Sequence, residues 1–172
     1  MPNVQHPQTP IVTMVCTGNI CRSAMADILL KDAAKNAGQQ VSVNSCGVSN
    51  EEAGNPIDYR AADTLKRAGY QVPAHTARQI SREDLENADL LLAMTSGHYA
   101  RLHQLARKYG TDASKIRLYR QFEPGGNPEY AGPEAPRGLE VPDPWYGGME
   151  DFQITLETIE NCTPQILEYL RS

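Results

Sequence analysis

Short apolar runs alternating with helical segments constrain this chain more than any other feature of it. Ile11 to Val15 is a β-branched run, Val41 and Val43 alternate with polar neighbours, Leu90 to Met94 is continuously apolar, and Ile116 and Leu118 lie in a fourth run. Each reads as a strand. Helical patterns fill the intervals. A stripe of Met25, Ile28, Leu29 and Ala33 starts at Ser23 and stops at Gly38, and Asp58 to Ala68 is stopped by Gly69. Ser81 and Asp84 have the spacing of a capping box, and Ser96 to Tyr109 is stopped by Gly110. Such alternation predicts an α/β fold: a single doubly wound domain, its four-stranded parallel sheet covered by helices on both faces. A final helix is expected from Met149 to Leu170, with Pro164 kinking or restarting it and Thr163 as a cap. The stretch from Gln121 to Gly148 is rich in Pro and Gly and aperiodic, a long loop of the functional or mobile kind.

The 172 residues suit one domain, expected over 11–172, preceded by a disordered tail of residues 1–10 that is polar and holds three prolines. A net charge of −5 with no basic run argues against a nucleic-acid partner. No apolar run approaches membrane-spanning length and the first residues do not resemble a signal peptide, so the reading is a cytoplasmic protein without membrane contact. The four cysteines are not spaced as a disulfide framework, and Cys46 and Cys162 read as reduced, packed thiols. His6, His75, His98 and His103 show no ligand spacing, so no metal is expected.

The chemistry concentrates where the first strand ends. Cys16, Thr17, Gly18, Asn19, Ile20, Cys21, Arg22 and Ser23 form a loop between a strand and a helix N-terminus. Loop N–H groups and the positive helix end make a nest for an anion, and the Arg22 fork binds two oxygens of a phosphate. Gly18 and Asn19 suit the left-handed backbone of a tight cradle. The same positive surroundings favour thiolate over thiol at Cys16, a nucleophile placed beneath phosphorus. Far downstream, Asp143 stands between two prolines and next to Trp145 and Tyr146. A carboxylic acid on a loop flanking the pocket can protonate a departing oxygen, although Asp-Pro alone is also ordinary turn chemistry.

Taken together, Val15-Cys-Thr-Gly-Asn-Ile-Cys-Arg-Ser23 and Asp143-Pro-Trp-Tyr146 resemble the signatures of the low-molecular-weight protein tyrosine phosphatases, bacterial type. The segments from Gly54 to Arg60 and from Ala74 to Ile80 are similar to family segments in the expected order. The resemblance implies hydrolysis of phosphotyrosine monoesters through a phosphocysteine, without cofactor. It makes Cys16 the nucleophile, Arg22 the phosphate-binding arginine and Asp143 the general acid. Ser23 becomes the hydroxyl that eases departure of sulfur, and Asn19, Ser23, Ser45 and His75 a network supporting the loop. Ile20, Glu51, Trp145 and Tyr146 become the substrate rim. Glu51 stands where animal members often carry an aromatic residue, and a carboxylate there disfavours acidic peptides.

Rival readings share the cradle. Arginine phosphatases resemble this family but have Thr where Ile20 stands, and Ile20 favours a phenyl ring. Thiol-based arsenate reductases need a later redox pair of cysteines, which is absent between Cys46 and Cys162. A phosphate-binding module without catalysis has no use for Asp143. The implied partner is a phosphotyrosine protein, such as a bacterial tyrosine kinase of a polysaccharide pathway or a host protein, met by a monomer. Cys21 has two readings: a partner that condenses with an oxidised Cys16 to a reducible disulfide, or a residue that only packs.

Overall fold

The computed structural model describes residues 9–172, so the expected tail falls, apart from Thr9 and Pro10, outside the described residues. In chain order the elements are β1 (Ile11–Cys16), α1 (Arg22–Asn36), β2 (Ser42–Gly47), α2 (Tyr59–Arg67), α3 (Arg82–Asn87), β3 (Leu90–Ala93), α4 (Ser96–Tyr109), β4 (Ile116–Leu118) and α5 (Met149–Arg171). The strands form one parallel sheet in the order β2-β1-β3-β4. Alternation along the strands sorts side chains between two cores. Val12, Met14 and Cys16 of β1 join Leu90 and Leu92 of β3 beneath α1, α2 and α5. Val15, Leu91 and Ala93 face the other way, toward Leu85 of α3 and Leu102 of α4. Both faces are therefore covered, as parallel sheets require.

Stop signals act as the sequence suggests. Gly38, Gly69 and Gly110 all take positive φ just beyond a helix, which costs glycine little. Asp58 caps α2 by accepting from the Arg60 N–H at 2.8 Å. Ser81 and Asp84 form the expected capping box. In α1 the expected stripe is too narrow: every residue from Arg22 to Leu30 is buried, because the sheet lies on one side and α5 on another.

Of the two outcomes expected at Pro164, a restarted helix is not found. α5 runs unbroken through it, and Thr163 is no cap but donates to Ile159 O at 2.9 Å. Proline inside a helix costs about 3 kcal/mol. Burying Ile159, Ile166 and Leu167 against one core offsets this, at roughly 1.5–3 kcal/mol per side chain. The long loop is aperiodic but well fastened. Buried Arg117 donates to Pro128 O at 2.6 Å, and buried Gln121 to Asn127 O and Tyr130 O at 2.9 and 3.0 Å. Tyr99 of α4 donates to Gly132 O, and Leu139 packs on the second core. Among the described residues no helix is long and apolar enough to cross a membrane.

Candidate active site

The chain steps from β1 to β2 on one side and later to β3 on the other, which opens a crevice at the carboxyl end of β1. Cys16 ends that strand and is buried. Its sulfur lies 2.9 Å from Ser23 Oγ and 3.3 Å from the Asn19 backbone N–H, which donates to it. Asn19 Nδ2 donates to the same Ser23 Oγ at 2.9 Å, leaving the hydroxyl hydrogen for the sulfur. Two donors thus converge on Sγ and support negative charge there.

Asn19 is the single non-glycine residue with positive φ (62°) among the described residues. A left-handed residue other than glycine costs on the order of 1–3 kcal/mol and persists only where its surroundings hold it. Here they do: His75 Nε2 meets Asn19 O at 2.6 Å, and the Arg78 N–H donates to Asn19 Oδ1 at 3.1 Å. Gly18 is not left-handed, contrary to expectation. Its value is space, since a Cβ there would come within 2.9 Å of Glu52 Cγ. Ser45 also departs from the expected network. It donates to Asp27 Oδ2 at 3.0 Å, with no hydrogen bond to Asn19 or His75, and so braces β2 against α1.

Among the described residues no side chain caps α1, which leaves its first-turn N–H groups for an anion. Arg22 opens that helix. It donates to Val141 O at 3.2 Å, across 119 residues of sequence, and lies 3.5 Å from Asp143 Oδ2. The Asp143 side chain is 51% exposed, and its Oδ1 accepts from the Trp145 N–H at 3.1 Å. A cavity of about 240 Å³ is lined by Cys16, Thr17, Ile20, Cys21, Arg22 and Asp143, with Glu51, Glu52, Trp145 and Tyr146 at its wall. Trp145 is 40% and Tyr146 94% exposed, so the aromatic wall stands open to solvent.

Burial, reinforced by the nearby Asp58 charge, pushes the Cys21 thiol up and keeps it protonated at neutral pH. Cys46 and Cys162 are buried free thiols in the same condition, Cys162 pushed up to about 12 by burial first.

Four residues escaped sequence reasoning. Glu52 fills the space that a Cβ at position 18 would need, the Arg78 N–H reaches Asn19, Arg60 touches the Asp143 loop, and His98 Nε2 meets Thr17 Oγ1 at 2.8 Å. His98 had one usable signal: it follows β3, the neighbour of β1, by a single helical turn. It is 6% exposed, and burial first, then the Arg22 charge, depresses its pKa to about 4. Asp143 and Glu140 only partly oppose this. A histidine held neutral in the fold contributes stability that is complete above its unfolded pKa near 6.5 and declines as pH falls toward 4. Between pH 7 and pH 5 this group should remove about 2 kcal/mol. Urea midpoints at the two pH values check it: His98→Gln should flatten the difference, and identical profiles for both proteins would refute the role.

Residues 11–172 match the family model described as low molecular weight phosphotyrosine protein phosphatase. The Mycobacterium tuberculosis low molecular weight protein-tyrosine phosphatase A is 37% identical over 161 residues, spanning 92% of this chain and 90% of that protein. A protein tyrosine phosphatase from Entamoeba histolytica superposes with a TM-score of 0.79 at 27% identity, over 95% of this chain and 97% of its own. The YwlE arginine phosphatase, a Bacillus subtilis protein, superposes with a TM-score of 0.75 at 27% identity, over 94% of this chain and 96% of its own. It was captured as a Cys-to-Ser variant with its active-site serine phosphorylated. With a match that begins at β1 and runs to the last residue, this chain belongs to the low molecular weight phosphotyrosine protein phosphatase family.

Proposed function

We propose that residues 11–172 are a protein tyrosine phosphatase domain that hydrolyses phosphotyrosine through a phosphocysteine on Cys16. The observation that carries this reading is the convergence of the Ser23 hydroxyl and the Asn19 N–H on Cys16 Sγ, in one cavity with Arg22 and Asp143. Sulfur attacks phosphorus while the P–O bond to the tyrosine ring breaks, and Asp143 gives its proton to the departing phenolic oxygen. Arg22 and the first N–H groups of α1 neutralise the equatorial oxygens throughout. Water then attacks phosphorus and returns a proton to Asp143. Sulfur departs as an anion, and the Ser23 hydroxyl at 2.9 Å stabilises it. The phosphorylated active-site serine of the YwlE variant supports a covalent phosphoryl step in a structural neighbour.

Ile20 lines the cavity, and a branched apolar side chain there suits a phenyl ring better than a guanidinium. The arginine-phosphatase neighbour keeps the second reading, phosphoarginine, in play. Side-by-side kinetics separate the two. Wild type should prefer phosphotyrosine, and Ile20→Thr should move the ratio toward phosphoarginine by roughly tenfold, the scale of a pocket methyl exchange. A ratio that does not move would show that Ile20 does not select the substrate.

The substrate is a phosphotyrosine protein, with a bacterial tyrosine kinase the first candidate, and the enzyme works as a cytoplasmic monomer. Glu51 and Glu52 at the cavity wall place carboxylates where acidic peptide neighbours would be repelled. Capture of tyrosine-phosphorylated protein by a Cys16→Ser variant tests the substrate class. Recovery of phosphoarginine proteins in its place would move the assignment to the second reading.

A further inference from the structure

The segment carrying Asp143 is held on its two sides by different parts of the molecule. Upstream, the Val141 N–H donates to Met94 O at 2.8 Å, and Val141 O accepts from Arg22 at 3.2 Å. Downstream, one nitrogen reaches two carbonyls: Arg60 Nη1 donates to Trp145 O at 3.0 Å and to Gly147 O at 3.4 Å. The rest of that guanidinium is fixed as well. Its Nε and Nη2 donate to the two Asp58 oxygens at 3.2 and 3.1 Å. Its centre lies 5.3 Å from the Trp145 ring and 4.7 Å from the Phe152 ring.

Asp58 extends the connection to the phosphate loop. Its backbone N–H donates to Ile20 O at 2.9 Å, while its carboxylate caps α2 and holds Arg60. A continuous path therefore runs from Ile20 through Asp58 and Arg60 to Trp145 and Gly147, joining cradle to acid loop without passing through substrate. A bidentate ion pair with stacked faces is the kind of arginine contact that a lysine does not reproduce.

We propose that Arg60 is a positioning residue for the general acid, fixing through Asp58 where Asp143 stands relative to the phosphate cradle. The proposal deepens the reading of Asp143 as the acid and rests on it. Asp143 has half its side chain in solvent and one oxygen engaged within its own turn. Releasing the downstream carbonyls lets the carboxyl drift from the leaving oxygen, and a displacement of about 1 Å can cost on the order of 10²-fold in rate. The cradle itself keeps Asn19, Ser23, His75 and the Arg78 N–H, none of which contacts Arg60 by hydrogen bond.

The test uses Arg60→Ala, Arg60→Lys, Asp143→Ala and the Asp143→Ala/Arg60→Ala pair on the whole chain, with phosphotyrosine and 2,4-dinitrophenyl phosphate as substrates and inorganic phosphate as inhibitor. Arg60→Ala should lower kcat/KM, which excludes the phosphocysteine hydrolysis common to both esters, about 10- to 100-fold for phosphotyrosine and less for the dinitrophenyl ester, with phosphate inhibition unchanged. Added to Asp143→Ala it should have little further effect, since the group it places is already gone. Arg60→Lys, which retains the charge and a single donor nitrogen, should fall between and keeps the test open if the alanine variant does not fold. Equal losses on both esters, or weakened phosphate inhibition, would overturn the proposal while leaving Asp143 as the acid. An Asp143→Ala loss that ignores the leaving group would overturn the acid reading, and this proposal with it.

Discussion

Cys16→Ser should reduce steady-state turnover of phosphotyrosine by on the order of 10⁵-fold or more, the scale seen when a covalent nucleophile is removed. A serine hydroxyl is essentially un-ionised at neutral pH, and the Ser23 and Asn19 donors that support an anion at Sγ do not supply a base to it. The cradle should survive. The left-handed Asn19 is held by His75, the Arg78 N–H and Ser23, and Arg22 by the Val141 carbonyl and Asp143. Inorganic phosphate should therefore still bind the variant, measurable by calorimetry. Substantial turnover in the variant would remove Cys16 from the mechanism, and the other buried thiols are poor substitutes because burial keeps Cys21, Cys46 and Cys162 protonated.

Asp143→Ala should cost roughly 10²–10⁴-fold with phosphotyrosine, the usual contribution of a positioned general acid. Its diagnostic is the dependence of kcat/KM on leaving group, because phosphocysteine hydrolysis is common to every ester. A tyrosyl oxygen departs poorly without a proton, whereas a dinitrophenolate leaves readily by itself, so the loss should shrink across an aryl phosphate series. Asp143 also lies 3.5 Å from Arg22, and a purely electrostatic partner of Arg22 would slow every ester alike. A flat profile would therefore assign Asp143 to holding the arginine. Phosphate inhibition gives the control: as acid alone, Asp143 can be removed without weakening anion binding.

The parts of this protein legible in the sequence are those set by neighbours along the chain. Stop signals at Gly38, Gly69 and Gly110, the Ser81–Asp84 capping box and the apolar strands act within a few residues, and they appear where the patterns put them. The same holds for the loop from Cys16 to Ser23, because strand, turn and helix N-terminus follow one another directly. Tertiary structure decided what depends on distant segments meeting. His98 reaches Thr17 because β1 and β3 are adjacent strands, and Arg60 reaches the Asp143 loop because α2 packs against α5. Ser45 bonds Asp27 where α1 crosses β2. α5 stays continuous at Pro164 because burial on both sides of the proline outweighs a local backbone preference. Local preferences are worth tenths to a few kcal/mol and can be read residue by residue. Packing contacts exist only once the chain has closed on itself, and no pattern of spacing announces which carbonyl an arginine 85 residues away will find.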